Sequence, residues 1–470
     1  MRPRAGPGRR AAIPTEPLHE RETIRNPAAL RSRATVSART TGAFPALRVR
    51  DYRLYWSAGV LSNIGTSMQG TALDWYVLSR THSGTAVGWT TGLQFAPVLL
   101  FGLWGGVVAD RRNRRDLQLA AQSLYALQAL ILTVAVFSGH GPVWLVYLLA
   151  FTLGCVFTVE NPARLSFVAE LVGRPLIPNA AGLNILSLNA ARLVGPAIAG
   201  VLISTFGTGW VFAVNTASFA GVLAALLAIR PRAAALAAAP ATTSWLHAAR
   251  EGLRYILDRP GLFGVFAIFG LTATFAVNFP ITLTLFAGRV FDTGSTGLGL
   301  MNTALSVGTI AGTLTASRNR APGPRKVVIS ALLFAAAEAG AAYAPEYRSF
   351  LLLLVPVGFL LMTLNTAVSA YAQTHVDEAV RGRVMAFYTV VSMGGTPIGG
   401  PAVGWISQHD GARSGLACSA VLAALGTLGV GLWLGQASKR AESGAGQARV
   451  GTSFAGVELA EVRANEGGNV

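Results

Sequence analysis

Three ionisable residues, Asp74, Glu160 and Arg192, stand inside stretches otherwise apolar enough for hydrocarbon. Charge at membrane depth is costly, so each is a candidate for carrying a proton or fixing a charge. A carboxylate in an apolar cleft can load a proton on one side of a bilayer and release it on the other. Asp74 lies about four residues, or ~6 Å of rise, from the outer end of the first expected membrane span. A hydrated side chain capping that helix end is the competing reading. Glu160 falls in the inner half of the fourth span, with Pro162 beside it. Arg192 sits near the middle of the fifth. At 100° per residue it shares a side with Asn189, Gly195, Pro196 and Ala199, which turns it toward protein rather than lipid. A buried pair with Glu160 or Asp74 that only fixes helix packing accounts for Arg192 equally well. Glu338, near the outer end of the ninth span, is peripheral. Asn63, Gln69, Trp75, Gln94, Phe95, Asn278 and Phe279 lie at depths where polar and aromatic groups would line a cavity for a bulky amphipathic ligand. Ordinary helix packing explains any one of them alone.

These residues need a scaffold of membrane helices, and the composition demands one. With 52% hydrophobic and 13% charged residues in 470, the chain holds more apolar surface than a soluble domain could bury. Runs of roughly 20 apolar residues recur from Leu54 onward. The expected spans are 54–79, 85–109, 117–138, 143–166, 179–205, 209–229, 261–287, 295–316, 327–344, 348–371, 384–407 and 414–434. This is an all-α membrane protein of twelve transmembrane helices in two pseudo-symmetric six-helix bundles. The domains read as a disordered basic tail (1–50), a first bundle (51–230), a linker (231–260), a second bundle (261–435) and a disordered tail (436–470). In the linker, Trp245, Leu246, Ala249, Leu253, Ile256 and Leu257 recur at helical spacing, which predicts an amphipathic helix along the membrane surface, with a plain solvated linker as the alternative.

The net charge of +17 is distributed as topology rather than as a nucleic-acid face. With both termini cytoplasmic, the inner connections hold Arg111, Arg112, Arg114, Arg115, Arg174, Arg318, Arg320, Arg325, Lys326, Arg381 and Arg383, besides the arginines from 230 to 259. The outer ones hold only Arg80, Arg289, Arg348 and Arg413. That asymmetry obeys the positive-inside rule for an even helix number.

The halves also align with each other. An offset of 204 sets Asn161, Ala163, Gly195 and Gly200 on Asn365, Ala367, Gly399 and Gly404. An offset of 206 sets Gly106, Arg112, Asn113 and Arg114 on Gly312, Arg318, Asn319 and Arg320. A duplicated six-helix unit places a substrate site between the halves near mid-membrane.

After the second span, Gly105, Gly106, Val107, Val108, Ala109, Asp110, Arg111, Arg112, Asn113, Arg114, Arg115 resembles the loop signature of the major facilitator superfamily. Gly106, Asp110, Arg111, Arg114 and Arg115 would form a latch made in one conformation and broken in another; in the second half Ala316 takes the aspartate position. In the fifth span Gly182, Ala191, Gly195, Pro196, Ala199 and Gly200 are similar to the antiporter motif of drug-exporting major facilitators, with alanine for glycine at 191 and 199. Asn161 to Arg164, Glu170 to Val172 and Asn189 to Arg192 resemble the enterobactin-exporter and macrolide-efflux branch. The resemblance covers roughly 45–435. It implies proton-coupled export of a small amphipathic molecule; the chain is expected to be a multi-pass protein of the plasma (inner) membrane and a monomer, with a dimer as the alternative.

Competing readings are an importer or facilitator on the same scaffold, and a non-transporting receptor or scaffold. No Gly-x-x-x-x-Gly-Lys-Ser/Thr loop supports an ATP-driven pump. Two cysteines and six scattered histidines offer no metal site, so neither an enzyme nor a cofactor is expected. The topology is checked by fusing reporters to each chain end: both should report the cytoplasm, and opposite sides would break the even-numbered arrangement.

Overall fold

A computed structural model describes residues 44–229, 245–316 and 323–437. The readings that fall on 1–43, 438–470, the start of the linker and Arg318, Asn319 and Arg320 lie outside these, as do the side chains of Asp110 and Arg111. The first bundle comprises α1 (Arg50–Thr81), α2 (Gly84–Arg111), α3 (Arg114–Phe137), α4 (Val143–Val172), α5 (Ile177–Phe206) and α6 (Thr208–Ala228). The expected amphipathic linker helix is α7 (Trp245–Leu257). In the second bundle, α8 (Pro260–Phe275), α9 (Phe279–Leu285) and a π turn over Phe286–Val290 together make the seventh span. Then follow α10 (Gly294–Ala316), α11 (Pro324–Ala342) and α12 (Tyr347–Thr374). The eleventh span is α13 (Glu378–Gly394) plus α14 (Thr396–His409), and α15 (Ala412–Ala437) is the twelfth.

All twelve expected spans are present, two of them broken. At 276–278 the seventh span pauses, and Asn278 folds its amide back to donate to the carbonyls of Thr274 (2.7 Å) and Phe275 (3.0 Å). The eleventh breaks at Gly395, where a Cβ would strike Thr274. A 3₁₀ turn, Pro45–Arg48, lies inside the stretch read as a tail. It is pinned by the Ala46 amide, which donates to Asn179 Oδ1 on α5 at 3.0 Å.

Among the described residues, seven helices are long and apolar enough to cross a membrane on composition alone. α1, α2, α10, α11 and the split eleventh span are not in that set. Four of these five spans, α11 excepted, take part with the fifth and seventh in the contacts between the bundles, so much of their surface never meets lipid. Elsewhere leucines such as Leu352, 74% exposed, face outward, as hydrocarbon permits and water would penalise.

Within the first bundle α1 packs on α5 and α6, α2 on α4, and α3 on α6. The second repeats the plan, with α8 against α13 and α14, and α10 against α12. The repeat read from sequence occupies equivalent joints. Gly195 of α5 meets Ser67 of α1, where a Cβ would lie 2.7 Å from Ser67 Cβ, and its counterpart Gly399 meets Thr274 of the seventh span. Gly200 lies on the Ser295 carbonyl of α10 (2.6 Å to a Cβ), and its counterpart Gly404 lies on the Gly84 backbone of α2.

These last contacts belong to two seams between the bundles, α2 with α14 and α5 with α10. Both are tightest at the face away from the chain's described ends, called here the far face. There Gly88 meets the Gly400 carbonyl, and Gly299 meets that of Pro196. A polar clasp closes the same face. His82 ends α1 in the left-handed region (φ 48°), and its carbonyl accepts from the Arg289 guanidinium at the end of the seventh span. Arg289 also donates to Gln408 Oε1 (3.0 Å), which accepts from the Gly84 amide at 2.7 Å. Arg289→Ala should therefore shift the protein toward a far-face-open state. Spin labels at Ser138 and Asp410, with Cys155 and Cys418 replaced, should show a longer distance population in the variant; an unchanged distribution would mean the clasp carries none of the closure.

Candidate functional site

A cavity of about 300 Å³ lies at mid-height, walled almost entirely by the first bundle. α1 contributes Ser62, Asn63, Thr66 and Gln69, each turned inward because its opposite faces meet α5 and α6. From α2 come Gln94 and Phe95, from α3 Gln122 and Tyr125, and from α4 Phe157, Glu160 and Arg164. α5 supplies Leu188 and Arg192, α6 Asn215 and Phe219, and the second bundle Met393 on α13. A smaller cavity of about 50 Å³ adjoins it, sharing Ser62, Asn63, Gln122 and Arg164, and continues past Tyr55, Trp56, Asn184 and Tyr52 toward the face bearing the chain's described ends.

The amides of the wall are held by one another. Asn215 Nδ2 donates to Gln69 Oε1 at 2.8 Å, and Gln69 Nε2 donates to Gln128 Oε1 at 3.0 Å. Gly65 makes room for this crossing, since a Cβ there would sit 2.5 Å from Asn215 Oδ1. Asn63 Nδ2 donates to Ser187 Oγ at 2.9 Å, tying α1 to α5. The network is satisfied at Gln69, while Gln128 Nε2 and Gln122 Oε1 are buried without a partner in it.

The charges arrange themselves differently from either pairing considered for Arg192. Glu160 pairs with Arg164 one turn along the same helix, Oε1 to Nε 3.5 Å, and that carboxylate is nearly buried. Arg164 also donates from Nη2 to Asn161 Oδ1 at 3.1 Å. Gln118 donates to the Glu160 main-chain carbonyl (3.3 Å) and accepts from Tyr55 OH (3.2 Å). Arg192, at the middle of α5, is exposed to the cavity, and among the described residues it has no ion pair. Its main-chain carbonyl accepts from Ser306 Oγ of α10 at 2.9 Å, so the residue sits where the α5–α10 seam gives way to the cavity.

Of the residues read from sequence, Asn63, Gln69, Gln94, Phe95, Glu160 and Arg192 are thus brought together, while Asp74, Trp75, Asn278 and Phe279 are not. α1 runs two residues past its expected end, so Asp74 lies seven residues before Thr81, roughly 10 Å of rise from the helix end. It is outside the cavity, two turns beyond Ser67. Trp75 packs near Gly288 across the bundles. Asn278 serves the break in the seventh span, and Phe279 is buried edge-on to Phe334 at 6.3 Å. Glu338 is 1% exposed in the second bundle.

The loop signature ties the first bundle together. Arg114 pairs with Glu170, and Arg115 donates to the Leu226 (2.9 Å) and Leu227 (3.3 Å) carbonyls at the end of α6, where a cation suits the helix dipole. Gly105, whose Cβ would strike the Thr158 carbonyl, makes the close approach to α4; Gly106 has open space. In the fifth-span motif Gly195, Pro196 and Gly200 are buried at the joints to α1 and α10, and Gly182 is exposed.

Arg164, Gln122, Tyr125 and Asn215 were not among the expected site residues. Arg164 follows Glu160 by four, and Gln118, Gln122, Tyr125 and Gln128 form a polar stripe at near-helical spacing within an apolar run, so both signals were present.

A protein family described as transmembrane secretion effectors matches residues 41–454. The staphyloferrin A transporter of Staphylococcus aureus is 22% identical over 355 residues, covering 74% of this chain and 87% of that protein. The enterobactin exporter EntS of Citrobacter koseri is 24% identical over 387 residues, covering 82% and 90%. Among solved structures, a bacterial homologue of the human lysosomal transporter Spinster, inward-facing and unoccupied, aligns with a TM-score of 0.68 at 14% identity over 82% of this chain and 97% of that one. The nucleoside transporter NupG aligns at 0.64 and 13% identity over 81% and 98%. The fold is theirs.

Removing one partner of a dry ion pair costs about 3–5 kcal/mol, and less in a wet cavity such as this. Glu160→Ala should therefore lower the unfolding temperature more than Glu160→Ala with Arg164→Ala, read by thermal unfolding in one detergent. A double variant less stable than the single would show that the two charges do not depend on each other.

Proposed function

We propose that this chain, which belongs to the transmembrane secretion effector family, exports a small amphipathic molecule across the cell membrane by proton-coupled alternating access. That it is a multi-pass major facilitator transporter and not an enzyme follows from the family. Direction and coupling are our reading.

The observation that carries the reading is the asymmetry of access. The cavity is closed toward the far face by both glycine seams and the Arg289 clasp, and it continues toward the face of the chain's described ends through the smaller cavity. The arginine distribution makes that second face cytoplasmic. A molecule therefore loads from inside the cell, and rocking of the bundles about the seams delivers it outside. The exporter named among the relatives points the same way.

For coupling, Glu160 is the sole carboxylate among the described residues lining the cavity, and Asp74 lies further along α1 toward the far face. Protonation of Glu160 would release Arg164 from its partner, which links proton uptake to the charge presented to substrate. Asp74 would exchange its proton with the outside when the far face opens. Aromatic and amide side chains suit a bulky amphipathic cargo.

The test is transport into inverted membrane vesicles under an imposed pH gradient, acid inside, with a panel of siderophores and hydrophobic antibiotics. Accumulation should collapse with a protonophore. It should fall at least tenfold in Asp74→Asn or Glu160→Gln, while Glu160→Gln retains exchange of labelled for unlabelled substrate. Accumulation indifferent to the gradient would overturn proton coupling, and accumulation only in right-side-out vesicles would reverse the direction.

A further inference from the structure

The charges in the cavity do not balance. Its described lining holds two guanidiniums, Arg164 and Arg192, against one carboxylate, Glu160. That carboxylate is already engaged with Arg164 on its own helix, leaving Arg192 as a net cation at mid-membrane. An arginine at this depth is tolerated when it is hydrated or paired. Arg192 is exposed to the cavity and lacks an ion pair among the described residues, so its charge is presented to whatever enters. A second cation brought into the same low-dielectric space would be repelled, and a neutral acceptor would give the guanidinium weaker hydrogen bonds than an anion.

We propose that Arg192 is the specificity-determining residue of the cavity and that the transported molecule bears an anionic, carboxylate-like group on an aromatic body. A guanidinium presents paired N–H donors matched to a carboxylate, and such charge-assisted bonds strengthen away from bulk water. The opposite requirement, an apolar body, is met a few side chains away. Tyr125 and Phe219 stack with ring centroids 5.9 Å apart, and Phe95 and Phe157 complete an aromatic wall from α2 and α4. About 300 Å³ is the lower end of small-molecule sites and holds a body of two fused rings. Because the Arg192 carbonyl holds Ser306 of α10, an anion drawn to its side chain binds beside the seam that moves.

This rests on the reading above that the cavity receives the transported molecule, but it is tested at equilibrium, without any gradient. Full-length protein in lipid nanodiscs is titrated with 2-naphthoate, its neutral amide 2-naphthamide and the cation 2-naphthylmethylammonium, followed by calorimetry and by saturable thermal stabilisation. The naphthoate should bind at least tenfold tighter than the amide, and the ammonium weaker than either. Arg192→Ala should abolish the preference, bringing naphthoate and amide to within about twofold of each other, and Arg192→Lys should restore part of the difference. Should Arg192→Ala not fold, Arg192→Gln takes its place. The proposal is overturned if the carboxylate is not preferred over the amide, if the preference survives removal of Arg192, or if the ammonium binds best. Gradient-driven export that selects cations would refute this inference and leave the exporter reading standing; anion-selective binding without gradient-driven export would do the reverse.

Discussion

Hydrocarbon offers no hydrogen-bond partner, so a polar group in a membrane-spanning helix must be satisfied by its own helix or turned toward another. Most features of this molecule follow from that constraint. Threonines along the spans donate back to carbonyls four residues earlier, as Thr272 does to Ile268 at 2.8 Å. Amides that cannot do so, such as Gln69, Gln128 and Asn215, converge on one another and create the polar wall. Bare leucines are left for the lipid. The cavity is where unmet polar demand from six helices was collected, not a hollow that polar residues later came to line.

The same constraint shapes the joints. Without a hydrophobic drive to press helices together in lipid, adhesion depends on close packing, and small residues bring backbones near enough for it. Gly195 and Gly399 hold the fifth and eleventh spans to the first and seventh. Gly200 and Gly404 hold them to the eighth and second across the seams. At these two seams a surface of backbone and glycine has few interlocking side chains, so the repacking that a pivot requires is concentrated where α1 meets the seventh span through Leu78 and Trp75. The duplication thus supplied both the stationary joints and the moving ones, at corresponding positions of the two halves.

The twelve spans were legible because length and apolarity suffice to recognise a crossing helix. The two breaks were not. Asn278 read as a cavity amide since an asparagine in an apolar run has two uses, and folding back onto its own helix leaves the same trace in composition as facing a ligand. Phe279, beside it, went with the break into the packed core. Asp74 was placed too near the helix end because α1 runs on to Thr81, past the point where hydropathy fades. Within the cavity Asn63, Gln69, Gln94, Phe95, Glu160 and Arg192 were readable as polar or aromatic interruptions on inward faces. The partner of Glu160 was harder to read. Helical spacing alone favoured Arg164, but a charge on a neighbouring span competes with it, and deciding between them requires the rotation of α4 against α5. The latch illustrates a further limit: arginines at a helix end announce sidedness, whereas their bonding to Glu170 and to the carbonyls ending α6 depends on which ends meet.

The energetics of the far-face closure are scaled to what a cargo can supply. Two hydrogen bonds of the clasp cross between the bundles, Arg289 to His82 and Gly84 to Gln408, with Arg289 to Gln408 bracing them within the second, and an intramolecular hydrogen bond nets about 1 kcal/mol. The polar clasp then contributes about 2 kcal/mol to closure. Inverting a two-state population from 1:99 to 99:1 takes about 5.5 kcal/mol of differential binding. A bound molecule bridging the first bundle to Met393 of the second, together with a change of charge at Glu160, falls within reach of that figure. The glycine seams and the arginine clasp are the yielding part of the closure, and the apolar contact in which Leu78 and Trp75 of α1 pack on Gly288 of the seventh span is the part that must slide or separate.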